Sequence, residues 1–276
     1  MSDSKKKVYF SLQLLEWFKS NIRPLPWKGE KNPYLIWLSE IILQQTRVEQ
    51  GLQYYENFKS AYPTVEDLAK APEDEVMKLW QGLGYYSRAR NLHATAKFIS
   101  NELKGVFPNS YKEILTLKGV GPYTAAAIAS FAFNLPHAVV DGNVYRVLSR
   151  YFGIETPIDS SEGKKIFSQL AQELLVEEQP GNYNQAIMDF GATQCTPQKP
   201  GCTACPMAVN CRALKNKKVK DLPIKSKRIK KRTRFFNYLI IREKESIYIQ
   251  KRTKKDIWQN LYEFPLLETS DLIEDV

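Results

Sequence analysis

All four cysteines of the chain fall within seventeen residues, CTPQKPGCTACPMAVNC, from Cys195 to Cys211, with gaps of six, two and five residues. That clustering constrains the fold more than any other feature. The opening stretch MSDSKKKVYFSLQLLEWF sets lysines before an apolar segment. Gln13, Glu16 and Lys19 break the segment, and no small-residue cleavage site follows, so it reads as a first helix and not as a secretory signal. The expected location is the cytoplasm, in association with the nucleoid. In a reducing compartment disulfides are disfavoured, and a tight set of thiols reads as a metal site. Four thiolates suit zinc or an iron–sulfur cluster, and spacing alone does not separate them. The lone C-x2-C pair is nevertheless unlike a two-knuckle zinc site.

What precedes the cysteines reads as helix throughout. Val8 to Ser20 is amphipathic, and NIRPLPWKGEKNPY is a proline-broken loop. A long helical pattern runs from Tyr34 to about Ala61. Thr64 with Asp67 three residues on predicts a capped helix start, with another helix from Glu73. GLGYYSRARNL reads as a turn entering a helix, and LKGVGPYTAAA as helix, glycine turn, helix. Beyond Phe235 the texture changes: RFFNYLIIREKESIYIQKRT predicts two strands around a charged turn. A chain of 276 residues favours two packing units. The last 42 residues, from Phe235, are few for a core of their own and look like the opening of a β-rich domain. No stretch approaches the length of a membrane span, so no membrane partner is expected.

Net charge is +10, and it is concentrated. Arg212 to Arg234 holds twelve Lys or Arg against one acidic residue, Asp221, leaving the remainder close to neutral. Such a segment is either a solvated linker or an arm along a polyanion.

Glu40 sits in LIWLSEIILQQT, one helical turn from Ile36, Trp37 and Leu43, on or beside the apolar stripe. A buried carboxylate is costly unless paired or neutral, so it either turns to solvent or faces a cleft that needs an acid. Gly119 and Gly121 permit a tight turn, and Pro122 suits the first position of the next helix. Free N–H groups at such a helix start attract phosphate, although an ordinary αα-hairpin uses the same residues. Asp141 in VVDGNVYRVL is a good N-cap, and equally a candidate second carboxylate. One protonated and one ionised carboxylate are suited to breaking a glycosidic bond through an oxocarbenium-like transition state.

The stretches LPWK, SEIILQQTRVEQ, WQGLGYYSRARNL, LKGVGPYTAAAIASFAF, VVDGNVYRVLSR, NQAIMDFGATQC and the cysteine loop occur in order over nearly all of residues 24–211. Together they resemble the A/G-specific adenine DNA glycosylases (the MutY family). WQNLYEFP resembles the start of that family's hydrolase-like, Nudix-type C-terminal domain. The resemblance implies a mainly α, two-lobed helix–hairpin–helix glycosylase fold. It divides the chain into a catalytic domain over 1–211, a basic connector over 212–234 and an incomplete lesion-recognition domain over 235–276. One lobe spans 27–132; the cluster lobe combines 1–26 with 133–211.

By that resemblance Glu40 is the general acid that protonates the adenine ring, and Asp141 stabilises the cationic sugar. Tyr123 assists at the sugar, where lyase relatives such as endonuclease III carry a lysine nucleophile. Asn143 belongs with the catalytic set, and Gln185 lines the pocket for the extruded adenine. Gln45 and Tyr85 match residues that wedge into the base stack. Trp27 and Lys28 are substrate-binding positions, as are Gly119 and Gly121 of the hairpin. Cys195, Cys202, Cys205 and Cys211 match the ligands of a [4Fe–4S] cluster that shapes a DNA-binding loop without redox work in base removal. The implied partner is double-stranded DNA with adenine opposite 8-oxoguanine or guanine, bound by a monomer.

Two departures stand out. Lys28 replaces a frequent arginine and loses the planar fork. Were residue 276 the natural end, discrimination of 8-oxoguanine from guanine is expected to be impaired. The rival readings are an endonuclease III-like glycosylase for oxidised pyrimidines, against which Tyr123 argues, and a non-catalytic DNA-binding module with a structural metal. His93 and His137 are expected to be packing or surface residues.

Overall fold

The computed structural model describes residues 3–226 and 232–271. The chain divides into two units, Met1–Lys227 and Arg228–Val276. The first is helical: α1 (Asp3–Lys19), α2 (Pro33–Leu43), α3 (Val48–Ala61), α4 (Val65–Lys70), α5 (Glu73–Trp80), α6 (Ser87–Asn101), α7 (Tyr111–Thr116), α8 (Pro122–Phe133), α9 (Gly142–Phe152), α10 (Ser161–Leu174), α11 (Pro180–Asp189) and the short α12 (Arg212–Lys215). Among the described residues no helix is long and apolar enough to cross a membrane.

The central helix is α2. Asn32 caps it by accepting from the Tyr34 N–H at 2.9 Å, and Pro33 occupies its first turn. Every residue from Tyr34 to Ile42 is buried, so the helix is covered all round and not along one stripe. It packs on α8, α3 and α6. The alanine-rich sequence of α8 lets the α2 and α8 backbones approach closely. The long helical pattern expected from Tyr34 to Ala61 is interrupted: Gln44 leaves helical geometry and Gln45 is left-handed at φ 56°, before α3 restarts at Val48. Periodicity could not show the break, because its cause is distant in sequence: the Arg88 guanidinium takes the carbonyls of Ile41, Ile42 and Gln44.

The other expected starts are present. Thr64 and Asp67 form a reciprocal capping box on α4. Helix α7, the turn at Gly119 and helix α8 make the hairpin. Helix α1 packs on α11 and α10. Of the basic stretch from Arg212 to Arg234, residues up to Ser226 lie on the helical unit. Leu222 is buried and accepts from Arg150 Nε at 3.0 Å, Ile158 N–H donates to the Ile224 carbonyl at 3.0 Å, and Ser226 N–H donates to Asp159 at 2.9 Å. Residues 227–231 of that stretch lie outside those described.

The second unit is β-rich. Strand β1 (Phe235–Tyr238) pairs antiparallel with β6 (Leu266–Thr269), placing Phe235 opposite Thr269. Between them β2 (Arg242–Glu243) pairs with β3 (Ser246–Ile247), and β4 (Gln250–Lys251) with β5 (Tyr262–Glu263). The charged turn is therefore where the sequence puts it, at Lys244 and Glu245. The strands expected on either side are broken into pieces of four and two residues instead. Arg234 stacks on Phe236 at 4.7 Å and makes bidentate bonds to Asp256 and Glu268.

Candidate active site

Helices α2, α8, α9 and α11 enclose a cleft of about 570 Å³. It gathers Glu40, Tyr123, Asp141, Asn143, Gln185, Gln45, Trp27 and Lys28 from the sequence-derived set. Tyr85, Gly119, Gly121 and the four cysteines lie elsewhere.

Glu40 is 7 % exposed. Burial pushes its carboxyl up to about 7 from the usual 4.5, and the Asp141 charge adds to the rise, while Tyr123 and Lys28 pull against it. The Tyr123 side chain, in the first turn of α8, hydrogen-bonds with Glu40. Burial and the two neighbouring carboxylates lift its phenol well above the ordinary tyrosine range, so it stays a neutral donor.

Asp141 is at once N-cap and site residue. One oxygen accepts from the Val144 N–H at 2.8 Å, the other from Asn143 Nδ2 at 2.8 Å. Burial raises its pKa, but these donors and the Arg146 charge oppose the rise. Two carboxylates in one cleft thus have contrasting surroundings. Asp141 has several donors that favour its charged form; Glu40 has a phenol and apolar walls.

Asn143 is itself held. Its Oδ1 accepts from Arg146 Nη2 at 2.7 Å, and Arg146 also donates to the carbonyls of Gly191 and Cys195, each at 2.7 Å. A Cβ on Gly191 would meet Asn143 Cβ at 2.6 Å, so only glycine lets the π-helical turn Phe190–Gln194 approach α9. A continuous chain of bonds therefore runs from Asp141 through Asn143 and Arg146 to the cysteine loop.

Sequence reading missed Asp189 and Arg23. Asp189 lines the cleft almost fully buried and accepts from Lys28 Nζ at 2.9 Å, with Arg23 at 3.8 Å. Burial lowers the Lys28 pKa, and Asp189 counters it. The signal existed: Asp189 follows Gln185 by four residues in α11, which puts both on one helical face. A lysine suffices for this single-carboxylate contact; no fork is used.

Gln45, at the cleft rim, is exposed. Tyr85 is 65 % exposed and also left-handed, at φ 46°. Gly119 is left-handed at φ 82°, and a Cβ there would meet Asn91 Cβ at 2.8 Å, so both conformation and space require glycine. Gly121 is the N-cap of α8, with open space beside it. His93 is buried, and His137 stacks on Tyr111 at 4.4 Å.

The four cysteines line one pocket with Val147, Arg150, Tyr151, Phe190 and Met207. Arg150 Nη1 lies 3.5 Å from Cys195 Sγ. Burial pushes the Cys205 thiol up to about 11 and raises Cys211, with the other thiols adding to both. Among the described residues, no group of three or more His, Cys, Asp or Glu side chains is arranged to hold a metal ion.

Residues 38–173 match the HhH-GPD superfamily of base excision DNA repair proteins. The adenine DNA glycosylase of Buchnera aphidicola subsp. Baizongia pistaciae is 39% identical over 261 residues, covering 94% of this chain and 74% of that protein. The adenine DNA glycosylase of Rattus norvegicus is 43% identical over 221 residues, 77% of this chain and 43% of that protein. Among solved structures, a thermostable thymine-DNA glycosylase superposes with TM-score 0.72 at 33% identity, over 77% of this chain and 98% of that one. A non-covalent endonuclease III–DNA complex gives TM-score 0.68 at 23% identity, over 79% and 99%, and shares the fold. The identity to curated relatives, extending over most of both chains, places this chain in the adenine DNA glycosylase family of the HhH-GPD superfamily.

Proposed function

We propose that the chain removes adenine from duplex DNA in base excision repair, by acid-assisted cleavage of the bond between the base and its sugar. One observation carries the reading: a buried glutamic acid, poised to be protonated near neutral pH, shares a cleft with a hydrogen-bonded aspartate. A cleft of this size lies within the roughly 300–1,000 Å³ usual for small-ligand sites and suits one extruded base.

In this mechanism Glu40 gives its proton to a ring nitrogen of adenine as the bond to the sugar carbon breaks. The bond electrons leave with the purine. Asp141, held by Val144 and Asn143, faces the cationic sugar; water then adds to the sugar carbon, and the proton it loses restores the Glu40 carboxyl. Tyr123 orients Glu40 and has no amine with which to form a Schiff base, so strand cleavage is not part of the chemistry. Gln185 and the Lys28–Asp189 pair line the wall against which the base rests. The hairpin at Gly119–Gly121 offers backbone N–H groups to phosphate, and Gln45 and Tyr85 wedge the stack. The partner strand carries 8-oxoguanine or guanine opposite the adenine.

Cys195, Cys202, Cys205 and Cys211 would hold a [4Fe–4S] cluster. The four line one pocket, and Arg150 Nη1, 3.5 Å from Cys195 Sγ, supports thiolate charge there. When bound, the cluster supplies the framework of the 195–211 loop.

The test is single-turnover excision on duplexes with adenine opposite 8-oxoguanine, adenine opposite guanine, and thymine opposite guanine. Each is read with and without alkali, for the unmodified chain and for Glu40→Gln. Adenine loss revealed only by alkali, and abolished in the variant, is expected. Excision of thymine instead, or strand breaks without alkali, would refute the assignment.

A further inference from the structure

We propose that Arg88 is a positioning residue that clamps the loops of Gln45 and Tyr85 to one helix, so that the two side chains enter the duplex as a unit. The inference rests on the wedge reading of those two residues given above.

Arg88 lies in the first turn of α6. Nη1 donates to the carbonyls of Ile41 and Ile42 at 3.0 Å and to that of Gln44, the orphan acceptors at the end of α2. Nη2 donates to Leu83 at 3.2 Å and Gly84 at 3.4 Å in the second loop. Both nitrogens reach Thr46 Oγ1 at 3.5 Å. The guanidinium plane lies 5.0 Å from the Trp80 ring and 5.8 Å from that of Tyr85. One planar group therefore joins two loops, each presenting an exposed side chain on a left-handed residue, Gln45 at φ 56° and Tyr85 at φ 46°. Such backbone states are costly and persist only where surroundings over-determine them. The same helix face continues through Asn91, packed against Gly119, to Thr95, whose hydroxyl donates to the Lys118 carbonyl at 2.9 Å. Helix α6 thus sets the spacing between the wedge loops and the phosphate-facing hairpin. A lysine at 88 keeps the charge but cannot serve both loops, because it lacks the fork.

The experiment compares the full chain with Arg88→Lys on two substrates. One has the adenine opposite 8-oxoguanine; in the other the same adenine sits unpaired in a one-nucleotide bulge. Arg88→Lys is expected to lower single-turnover excision about tenfold or more on the paired adenine, but less than about threefold on the bulged one, with the pH midpoint unmoved. Fluorescence of a 2-aminopurine beside the target should report reduced unstacking by the variant. A second measurement leaves Arg88 intact: Gln45→Ala and Tyr85→Ala, both at exposed positions, should be non-additive on the paired substrate. Equal losses on both substrates, no loss on either, or strictly additive wedge effects would overturn the clamp. An unmodified chain inactive on both substrates would overturn the site reading itself, and the clamp with it.

Discussion

Glu40 shows how a single residue combines a cost to the fold with a use in the chemistry. Its folded pKa, about 7, exceeds the ordinary 4.5, so the folded state keeps a proton that the unfolded chain releases. Stability contributed by that protonated form is complete below about pH 4.5 and falls as pH rises towards 7, by roughly 3 kcal/mol in all. Glu40→Gln should therefore unfold at higher denaturant than the unmodified chain at pH 8, while its excision rate falls by about 10²–10⁴. Denaturation at pH 5 and pH 8 checks the sign: the gain should shrink at pH 5. Asp141→Asn separates the cap from the charge. Asparagine caps a helix as well as aspartate, so stability should change by less than about 1 kcal/mol. Excision should fall by about 10² or more, because a neutral amide cannot balance a cationic sugar. Equal stability with equal activity would remove Asp141 from the chemistry.

Helices and turns were legible in the sequence wherever the cause is local. The capping box at Thr64, the glycine turn at Gly119 and the cap at Asp141 all act within four residues of themselves. What escaped has causes far along the chain. The break at Gln45 depends on Arg88, the π-helical turn on the approach of Gly191 to Asn143, and the burial of Glu40 on α8 packing against α2. Sequence alone placed Glu40 beside an apolar stripe; nothing in its periodicity brought Asp141 to it. The carboxylate at Asp189 was within reach, given its spacing from Gln185, but its cation, Lys28, stands on a loop 161 residues away. At this scale Gly119→Ala is the informative change. It forces a side chain onto φ 82° and onto Asn91. A loss of about 1–3 kcal/mol is expected. Affinity for duplex DNA should weaken, while excision at saturating enzyme keeps its pH dependence. Unchanged affinity would detach the hairpin from phosphate binding.

Across the whole molecule, charge and metal chemistry complement the cleft. The chain carries +10, and the segment from Arg212 to Arg234, directly after the cysteine loop, accounts for all of that excess. Duplex affinity should fall linearly in log–log form with salt, as counterion release requires. Cys202→Ser should remove the brown colour of a bound cluster and weaken DNA binding. Because Arg146 joins the Cys195 carbonyl to Asn143, it should also lower excision at saturating enzyme. A colourless unmodified chain that carries zinc would contradict the cluster. The second unit leaves Ile240, Tyr248 and Ile249 more than half exposed.

The central claim is that a buried Glu40, protonated near neutrality, is the acid that releases adenine. The most direct measurement is the single-turnover excision rate from pH 5 to pH 9, on adenine opposite 8-oxoguanine, for the unmodified chain and for Glu40→Gln. The account predicts a rate that falls as pH rises through about 7, and no such limb in the residual activity of the variant. A flat profile through neutrality, or the same limb in Glu40→Gln, would contradict it.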